Sequence, residues 1–258
     1  MARALALAYS VACYALFLVV FVYAIGFVAG WGVPKHIDSG TPGNPVAAVA
    51  VDAALLALFA VQHSLMARPS FKRWWTRFVP PPVERSTYVL ASSLALVALF
   101  AWWRPLPDLV WQVQAEALRW SLHSLYVVGW LIVLTGTFLI NHFDLFGLRQ
   151  AWLHARNQPC LDLPFVTRGY YRVIRHPLML GFVVAFWATP DMSQGRLLFA
   201  AMTTAYIVVA VRFLEERDLV AALGDPYREY QRQVPMLLPR PWRRRNGKRA
   251  AAVPGGPA

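Results

Sequence analysis

The run RHPLMLG, from Arg175 to Gly181, contains residue types that could bind a charged ligand. A residue before proline is disfavoured in the helical conformation, and proline suits the first position of a helix. His176 and Pro177 therefore predict a helix start, with His176 beside unpaired backbone N–H groups. Tyr171 lies just upstream, and Gly181 lets another backbone or a ligand approach closely. A competing interpretation is that the arginines here bind lipid phosphates and that His176 only caps the start of the helix.

Two adjacent carboxylates, Glu215 and Glu216, follow the last apolar run, which ends at Val211. One interpretation is a salt bridge within a helix, because Arg212 is three residues before Glu215 and four before Glu216. Adjacent side chains point in different directions on a helix, so one carboxylate could face Arg212 while the other faces a cationic ligand.

The elements that position these residues are apolar. The chain has 258 residues, of which 58% are hydrophobic and 15% are charged. An apolar stretch of about 20 residues suits a bilayer core. We therefore predict an all-α, polytopic integral membrane helix bundle with five or six membrane segments, the last two of which are short and form a helical hairpin. The six segments are residues 5–30, 46–67, 87–103, 121–140, 178–190 and 197–211.

Basic residues predict the orientation of the bundle. With six segments, 21 of the 25 Lys and Arg residues fall on one side of the membrane. The positive-inside rule then places both termini in the cytoplasm, and a bacterial inner membrane is the expected location. The net charge of +12 lies in loops next to the membrane, where anionic lipids attract it, so nucleic acid is not an expected partner. No metal-binding motif is present.

Four linked features near the C-terminus resemble the isoprenylcysteine carboxyl methyltransferase superfamily over residues 168–240. They are RHPLMLG, a following hairpin, EER, and GDPYREYQRQVPMLLP. The resemblance implies that this region encloses S-adenosylmethionine. His176 and Pro177 would line the cofactor site, and one glutamate of the pair would hold the polar end of the cofactor. The implied cofactor-binding residues are Tyr171, Arg175, His176, Pro177, Gly181, Glu215 and Glu216.

Three further runs, VQHSLMARPSFKRWW, ERSTYVLASSL and NHFDLFGLRQ, look like the bacterial methanethiol S-methyltransferases. This resemblance extends from about residue 45 to residue 240. It implies methylation of methanethiol to dimethyl sulfide with S-adenosylmethionine as donor. The implied domains are N-terminal transmembrane helices in residues 1–120, a catalytic methyltransferase core in residues 121–240, and a basic, disordered tail in residues 241–258.

Methylation of a thiol calls for a base, because the thiolate is the nucleophile and a simple thiol is mostly protonated at neutral pH. His142, with Asp144 nearby, is the first candidate. These two residues can cooperate only if the fourth apolar helix ends near Asn141. His63 is another candidate, although a histidine that only packs between helices would look the same.

Two alternatives to methanethiol methylation stay open from the sequence. One is methylation of a larger lipidic acceptor, such as a prenylcysteine. The other is a non-catalytic membrane protein, which would either bind heme through His63 or serve denitrification, since a membrane family linked to denitrification shares the HSxMAR-like run. The sequence indicates no particular oligomeric state.

Overall fold

Prolines mark where several helices begin in the computed structural model, which describes residues 2–161 and 163–238. Four helices begin at a proline, namely Pro45, Pro69, Pro81 and Pro177, and Asn44 caps the first of them by accepting a hydrogen bond from the Ala47 amide at 3.0 Å. The tail predicted for residues 241–258 lies outside the described residues.

The elements are α1 (Ala2–Ala29), α2 (Pro45–Ala67), α3 (Pro69–Trp75), α4 (Pro81–Trp102), β1 (Leu109–Gln112), α5 (Glu116–Ile140), α6 (His142–Leu145), α7 (Leu148–Ala155), α8 (Pro177–Trp187), β2 (Asp191–Ser193), α9 (Gln194–Ala210), α10 (Glu216–Leu223) and α11 (Asp225–Gln233).

The predicted all-α membrane bundle is confirmed. Helices α1, α2, α4 and α5 are each long and apolar enough to cross a membrane. So is the continuous stretch Gln194–Leu223, whereas α8 has only 11 residues. Helices α8 and α9 pack together as the predicted hairpin, and Trp187 Nε1 donates to Thr204 Oγ1 at 2.9 Å.

The helix that contains the last apolar segment extends well beyond that segment. Its apolar run ends at Val211, but the helical backbone continues through a π-helical segment, Val211–Glu215, and into α10. Charged residues after Val211 end the apolar pattern without interrupting helical hydrogen bonding.

A short two-stranded sheet, which the sequence did not predict, closes one end of the bundle. Strands β1 and β2 are antiparallel, and Leu109 lies opposite Ser193. Arg119 forms a two-point ion pair with Asp191, at 2.8 and 2.6 Å, and so fastens the start of α5 to β2. The sheet therefore fixes the end of the α8–α9 hairpin that is remote from His176.

Aromatic and aliphatic side chains from α1, α4 and α9 form the hydrophobic core. Phe27, Leu99 and Trp103 are almost completely buried, and Phe199 packs edge-on against the Trp103 ring at 5.9 Å. Burial of such side chains is the main term that holds a packed bundle together. The core residues are Val20, Phe27, Val28, Ile37, Leu56, Leu99, Phe100, Trp103 and Phe199.

Helices α5 and α8 touch backbone to backbone at a pair of glycines. A Cβ atom on Gly181 would lie 2.7 Å from the Gly129 carbonyl oxygen, and a Cβ on Gly129 would lie 2.7 Å from the Ala185 nitrogen. Only residues without a side chain allow this separation. The contact holds α8 directly along α5, and it thereby sets the position of His176 at the start of α8.

Candidate active site

His176 stands at the start of α8, as the sequence predicted, with Pro177 as the first helical residue. Its side chain makes no hydrogen bond to the backbone of α8, so it is not a capping residue. The ring is buried and points to the end of the π-helical segment instead. Its backbone amide donates to the Met236 carbonyl at 3.1 Å, and the Arg175 amide donates to the Pro235 carbonyl at 2.9 Å. The chain after α11 thus supports this turn.

Glu216 is paired on both of its oxygens. Arg175 donates to it twice, from Nε to Oε1 at 2.6 Å and from Nη2 to Oε2 at 3.0 Å. Gln231 Nε2 donates to Oε2 at 2.8 Å, His176 Nε2 lies 3.0 Å from Oε1, and Tyr227 Oη lies 3.4 Å from Oε1. The Arg175 and Glu216 side chains are only 9% and 13% exposed. Glu216 therefore acts as the centre of a buried ion-pair cluster.

Glu215 differs from its neighbour. One of its oxygens lies 3.5 Å from His176 Nδ1, the side chain is 44% exposed, and within the described residues it makes no side-chain hydrogen bond. The two adjacent carboxylates reach opposite nitrogens of one ring because the backbone is π-helical up to Glu215, where the Glu216 amide donates to the Val211 carbonyl. Such π-helical segments occur frequently at functional sites.

The predicted alternative of an intrahelical pair with Arg212 is not what the structure shows. The Arg212 guanidinium lies over the Phe213 ring, 5.9 Å from its centroid, and across residues 2–161 and 163–238 it forms no ion pair. Arg175, which comes from the start of α8, takes the place that the helical spacing suggested for Arg212. The pairing is therefore a tertiary contact, which sequence spacing within one helix does not reveal.

The two glutamates control the charge of His176. Burial lowers the pKa of His176, but its interactions with the Glu215 and Glu216 carboxylates raise the pKa to about 9. His176 is therefore an imidazolium at neutral pH, with one N–H directed at each carboxylate. In this state it orients Glu215 and Glu216, and it has no N–H left for a third anion.

The other residues implied for the cofactor fall into two groups. Pro177 and Gly181 are buried, and Gly181 meets the backbone of Gly129, so both make packing contacts. The Tyr171 hydroxyl is buried without a hydrogen-bond partner in the described part of the chain. Burial and the nearby charge of Glu215 raise the pKa of Tyr171, which keeps the phenol neutral. Tyr171 and Glu215 are therefore the two residues of this set that present polar atoms with remaining hydrogen-bonding capacity.

His63 lies close to this cluster, near the end of α2. Its Nε2 is 2.9 Å from Tyr88 Oη, its Nδ1 is 3.1 Å from Ser92 Oγ, and its ring stacks on Phe59 at 5.1 Å. Glu215 lies near enough to act electrostatically on both His63 and Tyr88. The structure thus brings His63 within electrostatic range of Glu215.

Two tyrosines near Glu215 were missed by the sequence analysis. Tyr88 contacts the His63 ring, and Tyr206 of α9 is hydrogen-bonded to Ser64 at 2.9 Å and also lies within electrostatic range of Glu215. The feature of the sequence that could have identified them is a tyrosine within an otherwise apolar helix, close to the charged end of that helix. That signal is weak, because tyrosines are also common where membrane helices meet water.

His142 and Asp144 are not brought together, although α5 does end at Ile140 as their cooperation required. His142 is buried, with Nδ1 2.8 Å from Thr137 Oγ1 and Nε2 2.7 Å from Tyr14 Oη. Asp144 instead accepts a hydrogen bond from Arg149 at 2.8 Å. Burial lowers the pKa of His142, so its ring is neutral. Both ring nitrogens are occupied in a contact between α1 and α5, and neither His142 nor Asp144 bonds to the Glu216 cluster.

Comparison with known proteins gives a consistent set of relatives. No protein-family model matches the chain, and no solved structure matches it. A methanethiol S-methyltransferase of Mycobacterium tuberculosis is 56% identical, over 94% of this chain and 99% of the relative. Methanethiol S-methyltransferase 2 of Bradyrhizobium diazoefficiens is 52% identical, over 99% and 98% of the two chains. Nurim of Sus scrofa is 32% identical, over 66% and 68%.

Proposed function

Because the chain belongs to the methanethiol S-methyltransferase family, we propose that it transfers a methyl group from S-adenosylmethionine to methanethiol and forms dimethyl sulfide. The family membership that the sequence motifs predicted is confirmed by relatives that align over nearly the whole chain. The alternative of a non-catalytic protein is therefore not retained. Heme binding through His63 belongs to that alternative and is not retained either.

The main support for S-adenosylmethionine as the methyl donor is that Glu215 has a half-exposed carboxylate, whereas the carboxylate of Glu216 is fully paired. S-adenosylmethionine bears an ammonium group, a carboxylate and a sulfonium whose methyl group is open to attack by a nucleophile. Glu215 fits the ammonium group, because its carboxylate is half-exposed and is held in place by His176. Glu216 does not fit it, because Arg175, His176 and Gln231 already fill its oxygens.

Aromatic side chains around Glu215 suit the rest of such a cofactor. Tyr171 and Tyr206 both lie within electrostatic range of Glu215. The faces of their rings attract cations, and the buried Tyr171 hydroxyl can hydrogen-bond to a ligand atom. We therefore assign Glu215, Tyr171 and Tyr206 to cofactor binding, with Arg175, His176 and Glu216 as the residues that position Glu215.

For the acceptor, the geometry favours His63 over His142 as the base. His63 lies beside Glu215 and, when neutral, can take the thiol proton at one ring nitrogen. Tyr88 and Ser92 of α4 orient the ring through hydrogen bonds, and Phe59 of α2 stacks on it. A dry, apolar site suits this reaction, because a thiolate and a sulfonium combine into neutral products.

The charge pattern supports a proposal for the location of the protein. The chain is a membrane protein with five helices long and apolar enough to span. Arg68, Arg85 and Arg175 lie at helix ends on the same side as Glu215, the side that the positive-inside rule assigns to the cytoplasm. We propose a bacterial inner membrane, cytoplasmic termini and a site that receives the charged cofactor from the cytoplasm and the small thiol from the bilayer.

Calorimetry and headspace analysis together test this function. The detergent-purified protein should bind S-adenosylmethionine and should release dimethyl sulfide when methanethiol is added. Glu215→Gln should weaken binding about 10- to 100-fold, the value of one hydrogen bond to a charged group. The matched control is Glu229→Gln, which removes an exposed carboxylate from α11.

Three outcomes would contradict parts of the proposal. Folded protein that does not bind S-adenosylmethionine would exclude it as donor. Equal weakening in Glu215→Gln and Glu229→Gln would exclude the assigned role of Glu215. Methylation of an S-prenylated cysteine in place of methanethiol would show that the larger lipidic acceptor is the substrate.

A further inference from the structure

A cavity with several charged and polar residues in its lining lies between α3, the start of α4 and the α6–α7 region, away from the Glu216 cluster. Its volume is about 390 Å³. None of its lining residues belongs to the group that surrounds Glu215 or Glu216. The lining includes Lys72, Arg85, Asp144, Arg149, Gln150 and His154.

The charges of this cavity favour an anion. Lys72, Arg85 and Arg149 carry positive charge. Lys72 is paired with Glu84 at 3.1 Å, and Asp144, the one carboxylate among the described lining residues, accepts hydrogen bonds from Arg149 at 2.8 Å and from Gln150 at 3.3 Å. Arg85 is therefore the lining cation that has no carboxylate partner among the described residues. Arg85 Nε is buried, and in residues 2–161 and 163–238 it has no hydrogen-bond partner. A ligand with several acceptor oxygens, such as a phosphate group, matches this excess of donors.

The walls of the cavity are held by a close backbone contact. Gly147 adopts a positive φ of 86° just before α7, and a Cβ atom there would lie 2.5 Å from Ser86 Oγ and 2.7 Å from the Ser86 nitrogen. This contact fastens the start of α7 against α4 next to Arg85. Arg85 and Arg149 therefore line one cavity from two elements that are packed together.

The cavity also lies at the depth of lipid headgroups. Helix α3 follows the spanning helix α2 after one residue, and it carries Phe71, Trp74 and Trp75. Trp74 is 48% exposed, and Phe78, just beyond the helix, is 69% exposed. Aromatic residues of this kind mark the interface between bilayer and water, and basic residues beside them attract anionic lipids.

We propose that this cavity binds a phosphate group, supplied by an anionic phospholipid of the cytoplasmic leaflet. Lys72, Arg85 and Arg149 would contact the phosphate oxygens, while the exposed aromatic residues of α3 rest against the acyl chains. The site would bind this lipid with defined stoichiometry, which distinguishes it from the general attraction of a basic protein surface.

Native mass spectrometry of the full chain tests the proposal by adding phosphatidylglycerol or diacylglycerol with the same acyl chains. One phosphatidylglycerol should bind saturably, and diacylglycerol, which lacks the phosphate, should bind at least about tenfold more weakly. Arg85→Gln should lower phosphatidylglycerol affinity about tenfold. The matched control is Arg73→Gln, which removes an exposed cation of α3 that does not line the cavity and should leave affinity unchanged.

A second variant tests the same site in case Arg85→Gln fails to fold. Gln158 is an exposed residue of the lining, so Gln158→Glu adds a negative charge without disturbing packing and should also weaken binding. Equal binding of phosphatidylglycerol and diacylglycerol, or equal losses in the Arg85 and Arg73 variants, would overturn the proposal. Displacement of the lipid by millimolar inorganic phosphate would support the phosphate site and identify free phosphate, rather than lipid, as its source.

Discussion

Arg175 and Glu216 form a two-point ion pair that joins the start of α8 to the start of α10 across 41 residues of sequence. Arg175 also donates from Nη1 to the carbonyl oxygens of Gln231 and Val234, at 2.9 and 2.5 Å. One arginine thus ties together α8, α10 and the chain that follows α11. This arrangement leaves Glu215, and not Glu216, with a carboxylate available to a ligand.

The first prediction separates the structural glutamate from the ligand-binding one. Glu216→Gln should lower the stability of the protein by about 3 kcal/mol, because it leaves the buried Arg175 without its counter-ion. Glu215→Gln should leave stability nearly unchanged, because that side chain is 44% exposed. Thermal unfolding of both variants in detergent, followed by tryptophan fluorescence, measures the difference. A Glu215 variant that unfolds as early as the Glu216 variant would contradict this division of roles.

The second prediction concerns pH. The pKa of His176 is about 9 in the folded protein, above its ordinary value of 6.5. A raised pKa means that the stabilisation is complete below about pH 6.5 and is lost as the pH rises through about 9. The melting temperature of the protein should therefore fall between pH 7 and pH 10.

His176→Gln is the control for this pH effect. Glutamine keeps a hydrogen-bond donor but does not titrate, so the variant should melt earlier at pH 7 and lose less between pH 7 and pH 10. If the wild-type melting curve stays constant over this range, His176 is not an imidazolium paired with Glu215 and Glu216.

Local sequence rules predicted the starts and ends of the elements that hold the site. His176-Pro177 marked the start of α8, and the polar switch at Asn141 marked the end of α5. These rules did not predict side-chain contacts between residues that are far apart in the sequence. The partner of His142 is Tyr14, which is 128 residues away, and the π-helical register that turns Glu215 towards His176 has no signature in the sequence.

The third prediction tests His63 as the base. His63→Gln should lower dimethyl sulfide formation about 100-fold at pH 7, the usual contribution of a general base. Between pH 7 and pH 9 the rate of the variant should rise steeply, because the fraction of thiol that is ionised without a base increases with pH. Headspace gas chromatography at several pH values provides the measurement.

His142→Gln serves as the comparison for this experiment. It removes the buried contacts with Tyr14 and Thr137, and it should lower stability by about 1–2 kcal/mol. The folded fraction should keep most of its turnover at pH 7 and should show no rescue at high pH. A His63 variant with normal turnover at pH 7, or a His142 variant rescued by high pH, would return the base assignment to His142.

The fourth prediction concerns the glycine contact that positions α8. Gly181→Ala should destabilise the protein by about 1–3 kcal/mol, because its Cβ atom would lie 2.7 Å from the Gly129 carbonyl oxygen and 2.9 Å from Val133 Cγ2. The backbone carbonyl cannot move aside as a flexible side chain could, so α8 must shift, and His176 shifts with it. Turnover should therefore fall together with the melting temperature. Gly43→Ala is the matched control, since a Cβ atom there would meet nothing within 4 Å. If Gly181→Ala and Gly43→Ala behave alike, the contact between α5 and α8 does not position the site.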